Sequence, residues 1–340
     1  MIAPQSFPPS PGERLTRSAS AIASSAQRHG IEVVMNSSGF GGGTEQFPRA
    51  RERTPEPRPS PGWEVRPAAN NPLAGVDRGV PTDVSVADLS AYCLMLGDDA
   101  LVLSWRLAQW CHRGPDLEED QVRARILLEL IGHARELLSR AATVEGGARD
   151  ENVLAHSRDS EQFRNVRLTE LDCGPGAGGD FAASVARLLV CAAWRSALLR
   201  RLTDSRDPVL AGLAGVAWPE AREHRDHAAR WVIRLGDGTA GSRERMRAGL
   251  ARVWPMTREL FATHPVERRL ADAGYAVDPG GLRTEVADLV DEVLSVARLD
   301  FPDPRVFSGQ EEPSGRGGAH TAALDFLLAA TRREADLEFG

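Results

Sequence analysis

The sequence predicts an all-α protein, a four-helix bundle with additional helices after it, and two observations carry that prediction. Between Pro208 and Thr239 apolar residues recur at three- and four-residue steps, through Leu210, Leu213 and Ala217 and again at Trp231 and Leu235. That spacing makes one long amphipathic helix. A second stripe, Val122, Ile126, Leu130 and Leu137, runs through EEDQVRARILLELIGHARELLSRAA. Glu220, Glu223, His224 and His227 fall on or beside the first stripe, and Glu129 and His133 are set into the second. Such placement points them into a core, where each needs a partner. Two long helices with carboxylate and imidazole in mid-stripe are the pattern of a ferritin-like bundle.

Composition narrows the function classes. A chain of 340 residues, 42% of them hydrophobic, can bury a sizeable core. The formal charge of -7 leaves no basic footprint for a nucleic-acid partner. Every cation is Arg, which reflects biased composition more than function. Cys93, Cys111, Cys173 and Cys191 lie far apart, with no CxxC pair and no clustered His. This disfavours a zinc site and a disulfide framework, and it fits a reducing cytoplasm. No run of about 18 uncharged apolar residues is present to span a membrane. The N-terminus also lacks the apolar core of a signal peptide.

Taken in order, residues 1–82 are rich in Pro, Ser, Gly and Arg, as in FPPSPGERLTRSAS and RERTPEPRPSPGWEVRP. Such composition buries too little surface to offset chain entropy, so the stretch is expected to be a disordered extension, or translated leader ahead of the real start. The helical domain is expected over 83–340. Its first core helix covers Val86 to His112 through Leu89, Leu94, Leu101, Trp105 and Ala108, with Gly97 a weak point. Gly114-Pro115 ends it. Leu117-Glu118-Glu119-Asp120 opens the second helix with acidic residues suited to a helix N-terminus, and the helix runs to about Val144.

Between Arg149 and Asp180 lies a long crossover, with small helices at ENVLAHSR and EQFRN and a connector at GPGAGGD that lacks the arrangement of a phosphate-binding loop. The third core helix is Phe181 to Thr203, without any Asp or Glu inside it. Ser205 and Asp207 can cap the fourth, in which Pro208 is tolerated, but Pro219 should kink or divide the helix. A fifth helix is expected over about Ala240 to Phe261, a sixth over Leu282 to Leu299 and a last over His320 to Arg333, with Gly274 to Gly281 a loop.

Several phrases, and not only periods, carry a resemblance. LGDDALVLSWRLAQWCHRGPDLEED, LIGHARELLS, QFRNV, GDFAASVAR, WVIRLGDGT and the late GRGGAHTAAL resemble the structural C subunit of the bacterial ring 1,2-phenylacetyl-CoA epoxidase over roughly residues 88 to 335. The resemblance implies a ferritin-like protein of phenylacetate catabolism that does not itself oxygenate. It implies a related catalytic partner holding a di-iron centre, a reductase bringing electrons from NADPH through flavin and iron–sulfur groups, and small accessory subunits. Charge and hydropathy give the expectation of no nucleic-acid and no membrane partner, and the cofactors of the complex are expected on the partner subunits rather than on this chain. The sequence departs from the family pattern at Pro219 and at the inserted CGPGAGG ahead of Asp180.

A di-iron carboxylate site needs a Glu from each of two helices and a Glu-x-x-His pair from each of the other two. The first core helix offers Asp98 and Asp99 early and then Gln109, with no Glu between Leu101 and His112, and the third offers no carboxylate. Glu129 and His133 are four apart, as are Glu220 and His224, while His224 and His227 are three apart with His in the place of Glu. With the stations empty or misspaced, the expectation is no metal site and no catalytic residue. These side chains then form a buried polar network, Glu paired with His or with an Arg such as Arg195. The alternative is a self-sufficient metalloprotein with a reduced site from Glu129, His133, Glu220, His224 and His227. A third reading is a ferritin-like protein with an unrelated partner.

Overall fold

The computed structural model describes residues 73–176, 179–300 and 314–339, so the expectation for residues 1–72 lies outside the described residues. Four long helices form the bundle: α1 Val86–Ala108, α2 Leu117–Val144, α5 Phe181–Leu202 and α6 Pro208–Gly236. Between the two hairpins run α3 Glu151–His156, a 3-10 turn Ser160–Gln162 and α4 Arg167–Glu170. After α6 come α7 Ala240–Val253, a 3-10 stretch Trp254–Phe261, α8 Pro265–Asp272, a 3-10 turn Pro279–Leu282 and α9 Arg283–Val296. A 3-10 turn Gly315–Gly317 and α10 Ala322–Phe339 complete the described elements, none of which is a strand. α1 packs on α2, α5 packs on α6, and α2 meets α6 across the middle.

Caps set the boundaries. Asp116 accepts from Glu119 N to start α2, Asp180 from Ala182 N to start α5, and Asp207 from Val209 N and Leu210 N to start α6. Asp207 is itself buried and paired with Arg140, so a helix start and a core ion pair share one side chain. α5 is the central element. By length and composition it could cross a membrane, but its apolar stretch lies wholly inside the fold, with Arg187 and Arg195 buried on it. A helix apolar on all sides belongs in a core. Gly97 lets α1 approach α2 closely, because a Cβ there would stand 3.1 Å from Leu138 and 3.3 Å from Leu137.

Several expectations are corrected. Chain ahead of Asp83 is packed as well: Leu73 is buried, and Arg140 donates to the carbonyls of Arg78 and Gly79. α6 is one helix through Pro219. Pro219 and Gly215, whose carbonyl loses its partner, both face solvent, so water can satisfy that oxygen. The expected fifth helix is divided, α7 giving way to a 3-10 stretch that has Pro255 in its first turn. α1 stops at Ala108, and His112 has φ 61, outside helical geometry. α8 and the 3-10 turn Pro279–Leu282 appear where no helix was expected.

Candidate functional site

The seam between α2 and α6 carries three His–Glu contacts. His133 Nε2 and Glu220 Oε2 stand 2.6 Å apart, and His224 Nε2 and Glu129 Oε2 also 2.6 Å. Each helix therefore supplies one Glu and, four residues on, one His, and the two motifs pair reciprocally. Further along, His227 Nε2 lies 2.9 Å from Glu119 Oε2, which also accepts from Trp231 Nε1 at 2.6 Å. Arg123 completes the Glu119 set. Burial works against the ionised Glu119 carboxyl, but the bonds from His227 and Trp231 and the Arg123 charge outweigh it and hold the group below its usual value.

Arg195 of α5 reaches the seam from the third helix. Its Nη2 stands 3.3 Å from His133 Nδ1. A guanidinium can only donate, so Nδ1 accepts, the ring proton sits on Nε2, and that proton is given to Glu220. Burial pushes the His133 imidazole below its usual value, with Arg195 adding to the effect and Glu220 opposing it. His133 is thus a neutral relay between a buried cation and a carboxylate. Beside it is an apolar cleft lined by Leu96, Leu137, Trp194, Leu198 and Leu213 with room for about one water, 10 Å³.

His133, His224 and His227 are buried, and Glu129 and Glu220 reach partly into water with side chains 21% and 32% exposed. Glu223 departs from the expectation that it faces the core. It is exposed and paired with Arg125 at 3.2 Å, because it lies one helical step off the stripe. Glu119, expected only as part of the acidic first turn of α2, belongs to the network. The signal was present, since Glu119, Arg123, Ile126, Leu130, His133 and Leu137 continue one helical face. Among the described residues no group of three or more His, Cys, Asp or Glu is arranged to hold a metal ion.

The model of the phenylacetic acid catabolic protein family matches residues 76–337. The chain belongs to this family. It is also 40% identical over 241 residues to the C subunit of the 1,2-phenylacetyl-CoA epoxidase of Escherichia coli (strain K12), an alignment covering 71% of this chain and 93% of that protein.

In this family member three of the phrases that carry the resemblance converge at a second buried cluster. Asp98 and Asp99 of α1 are almost fully buried. Asp98 accepts from Arg158 and from Arg164 N, and Asp99 from Val166 N and from Arg316 Nη2, each of the latter two at 2.8 Å. LGDDAL, QFRNV and GRGGAH therefore meet at one place. The aspartates are consumed by Arg and backbone donors there. Arg195 feels the attraction of both Asp99 and Glu220, which links the two clusters through α5.

Proposed function

We propose that this chain is the non-catalytic structural subunit of a multicomponent di-iron monooxygenase that epoxidises phenylacetyl-CoA in phenylacetate catabolism. A separate ferritin-like partner would hold the metal and perform the oxygenation. A reductase using NADPH through flavin and iron–sulfur groups, with small accessory subunits, would complete a cytoplasmic assembly. The name of the Escherichia coli relative supports the setting, and the four free, buried cysteines suit a reducing compartment.

The observation that carries the non-catalytic role is Arg195. Two iron cations need carboxylates from all sides for neutralisation and bridging. Here the third bundle helix presents a guanidinium to the His133 ring instead, and the two aspartates of the first helix are committed to arginines. A cation entering between α2 and α6 would meet Arg195 and would have to break both reciprocal His–Glu contacts. These residues do not fit a di-iron centre.

The test is elemental analysis of the purified chain together with reconstitution. The expected result is no stoichiometric iron, and turnover only when a di-iron partner is added. About two irons per chain, lost on Glu129→Ala, would overturn the reading.

A further inference from the structure

Ser314 to Thr321 crosses the middle of α1 at Met95 and Asp99 as a strap with two anchors. At the first, Ser314 Oγ and Gly315 N both donate to Glu259 Oε1 at 2.7 Å, and Arg316 is buried against Asp99. Arg316 also donates to the carbonyls of Met95 and Arg164. The chain lies so close that a Cβ on Gly315 would overlap the Asn165 carbonyl oxygen. At the second anchor, Thr321 N donates to Glu170 Oε1 at 2.8 Å, and His320 is inserted with its side chain only 3% exposed. Gly317 and Gly318 lie between the anchors.

The His320 ring has acceptors on both sides. Nδ1 is 3.1 Å from Glu170 Oε2 and Nε2 is 3.0 Å from the Phe163 carbonyl oxygen. A neutral imidazole has one donor and one acceptor, so it would set a lone pair against one of these oxygens. Against an ionised Glu170 carboxylate, only the imidazolium satisfies both contacts. Burial works against that charge. The hydrogen bonds of Glu170 and Phe163 and the charges of Glu170 and Glu259 outweigh it, and the ring sits above its usual value. The surrounding charges are Glu170 of α4, Glu259 of the 3-10 stretch after α7, Arg106 and Asp99 of α1, Arg164 of the crossover and Arg316 of the strap itself. Arg106 holds the Glu170 and Ala323 carbonyls and does not face the ring nitrogens.

We propose that Ser314–Thr321 is a proton-locked strap, closed while His320 carries both ring protons and released at its Thr321 end when one is lost. The Arg316 anchor is held by the Met95 and Arg164 carbonyls as well as by Asp99, and α10 stays packed from Leu324 onward, so the opening is confined to His320 and the Thr321 amide.

The full-length protein, labelled with ¹⁵N, tests this by imidazole NMR and by amide exchange expressed as protection factors. At about pH 6 both His320 nitrogens should be protonated, with deprotonation at higher pH than an ordinary His. Once the ring is neutral, protection of the Thr321 amide should fall by roughly tenfold or more, while Gly315, held by Glu259, keeps its protection. His320→Gln should give weak Thr321 protection that no longer depends on pH, and Glu170→Gln should move the His320 titration to lower pH. A ring with a single proton at about pH 6 overturns the proposal. So does equal Thr321 protection on both sides of the His320 titration, or a ring still doubly protonated near pH 10.

Discussion

His133 and Glu220 stand 2.6 Å apart across the α2–α6 seam, and the same two helices return the contact in reverse through His224 and Glu129. The reciprocity follows from the four-residue spacing. Glu and His four apart lie on one helix face, so two such motifs on packed helices can satisfy each other without a third component.

Breaking one pair should cost stability before it costs activity. In His133→Ala the Glu220 carboxylate and one Arg195 donor lose their partner. A stranded buried polar group costs about 1 to 3 kcal/mol, and water reaching Glu220 places this case toward the low end. Thermal unfolding should shift down by roughly 1 to 2 °C per kcal/mol. Turnover per assembled complex should stay near normal. Unchanged melting with collapsed normalised turnover would assign chemistry to His133.

The pH dependence has a definite sign. His133 is held below its ordinary value of 6.5, so as pH falls beneath 6.5 the unfolded chain takes up a proton that the folded ring resists. Its contribution is present above 6.5 and lost on acidification. Arg195→Met removes a cation that adds to this resistance, so the acid-side loss of melting temperature should become shallower. A slope as steep as that of the wild type would assign the effect to other groups. His320 works in the opposite sense, stabilising below 6.5 and losing its effect as pH rises through its raised folded value.

The long elements were legible in the sequence because their stripes and caps are local. Asp116 and Asp207 fix the starts of α2 and α6, and the glycines after Val144 and at Gly236 fix the ends. Partner choice was less accessible. A stripe gives the face of a helix but not its register against another helix, so Glu129 and Glu220 could be placed at the core without knowing which imidazole each meets. The segment before Asp83 is held through its carbonyls by Arg140, and backbone capture leaves no side-chain period to detect. α8 begins with a His264 cap, Pro265 and a returning Glu267, a capping box written with an uncommon first residue.

Pro219 tests the helix itself. It lies inside α6 without dividing it, and it leaves the Gly215 carbonyl to solvent. Pro in a helix interior costs about 3 kcal/mol relative to Ala, less where the freed oxygen is hydrated. Pro219→Ala should therefore raise the melting temperature and leave assembly unchanged. A lowered melting temperature would mean that the backbone geometry at Pro219 is needed to bring Glu220 to His133.

The Asp99–Arg316 contact gives the sharpest energetic test, because both side chains are buried and each has other bonds that can be kept. Arg316→Met leaves the Asp99 carboxylate with Val166 N as its direct hydrogen-bond donor. An uncompensated buried charge costs about 3 to 5 kcal/mol, enough to threaten a domain held by roughly 5 to 15 kcal/mol. Asp99→Asn removes the charge but keeps an oxygen for Val166 N, so added to Arg316→Met it should recover part of the loss. Denaturant unfolding of the wild type, both single variants and the double variant yields the coupling energy, expected at about 1 to 3 kcal/mol. Additive single losses would mean that Arg316 acts through its bonds to the Met95 and Arg164 carbonyls, and that the aspartate contributes through Val166 alone.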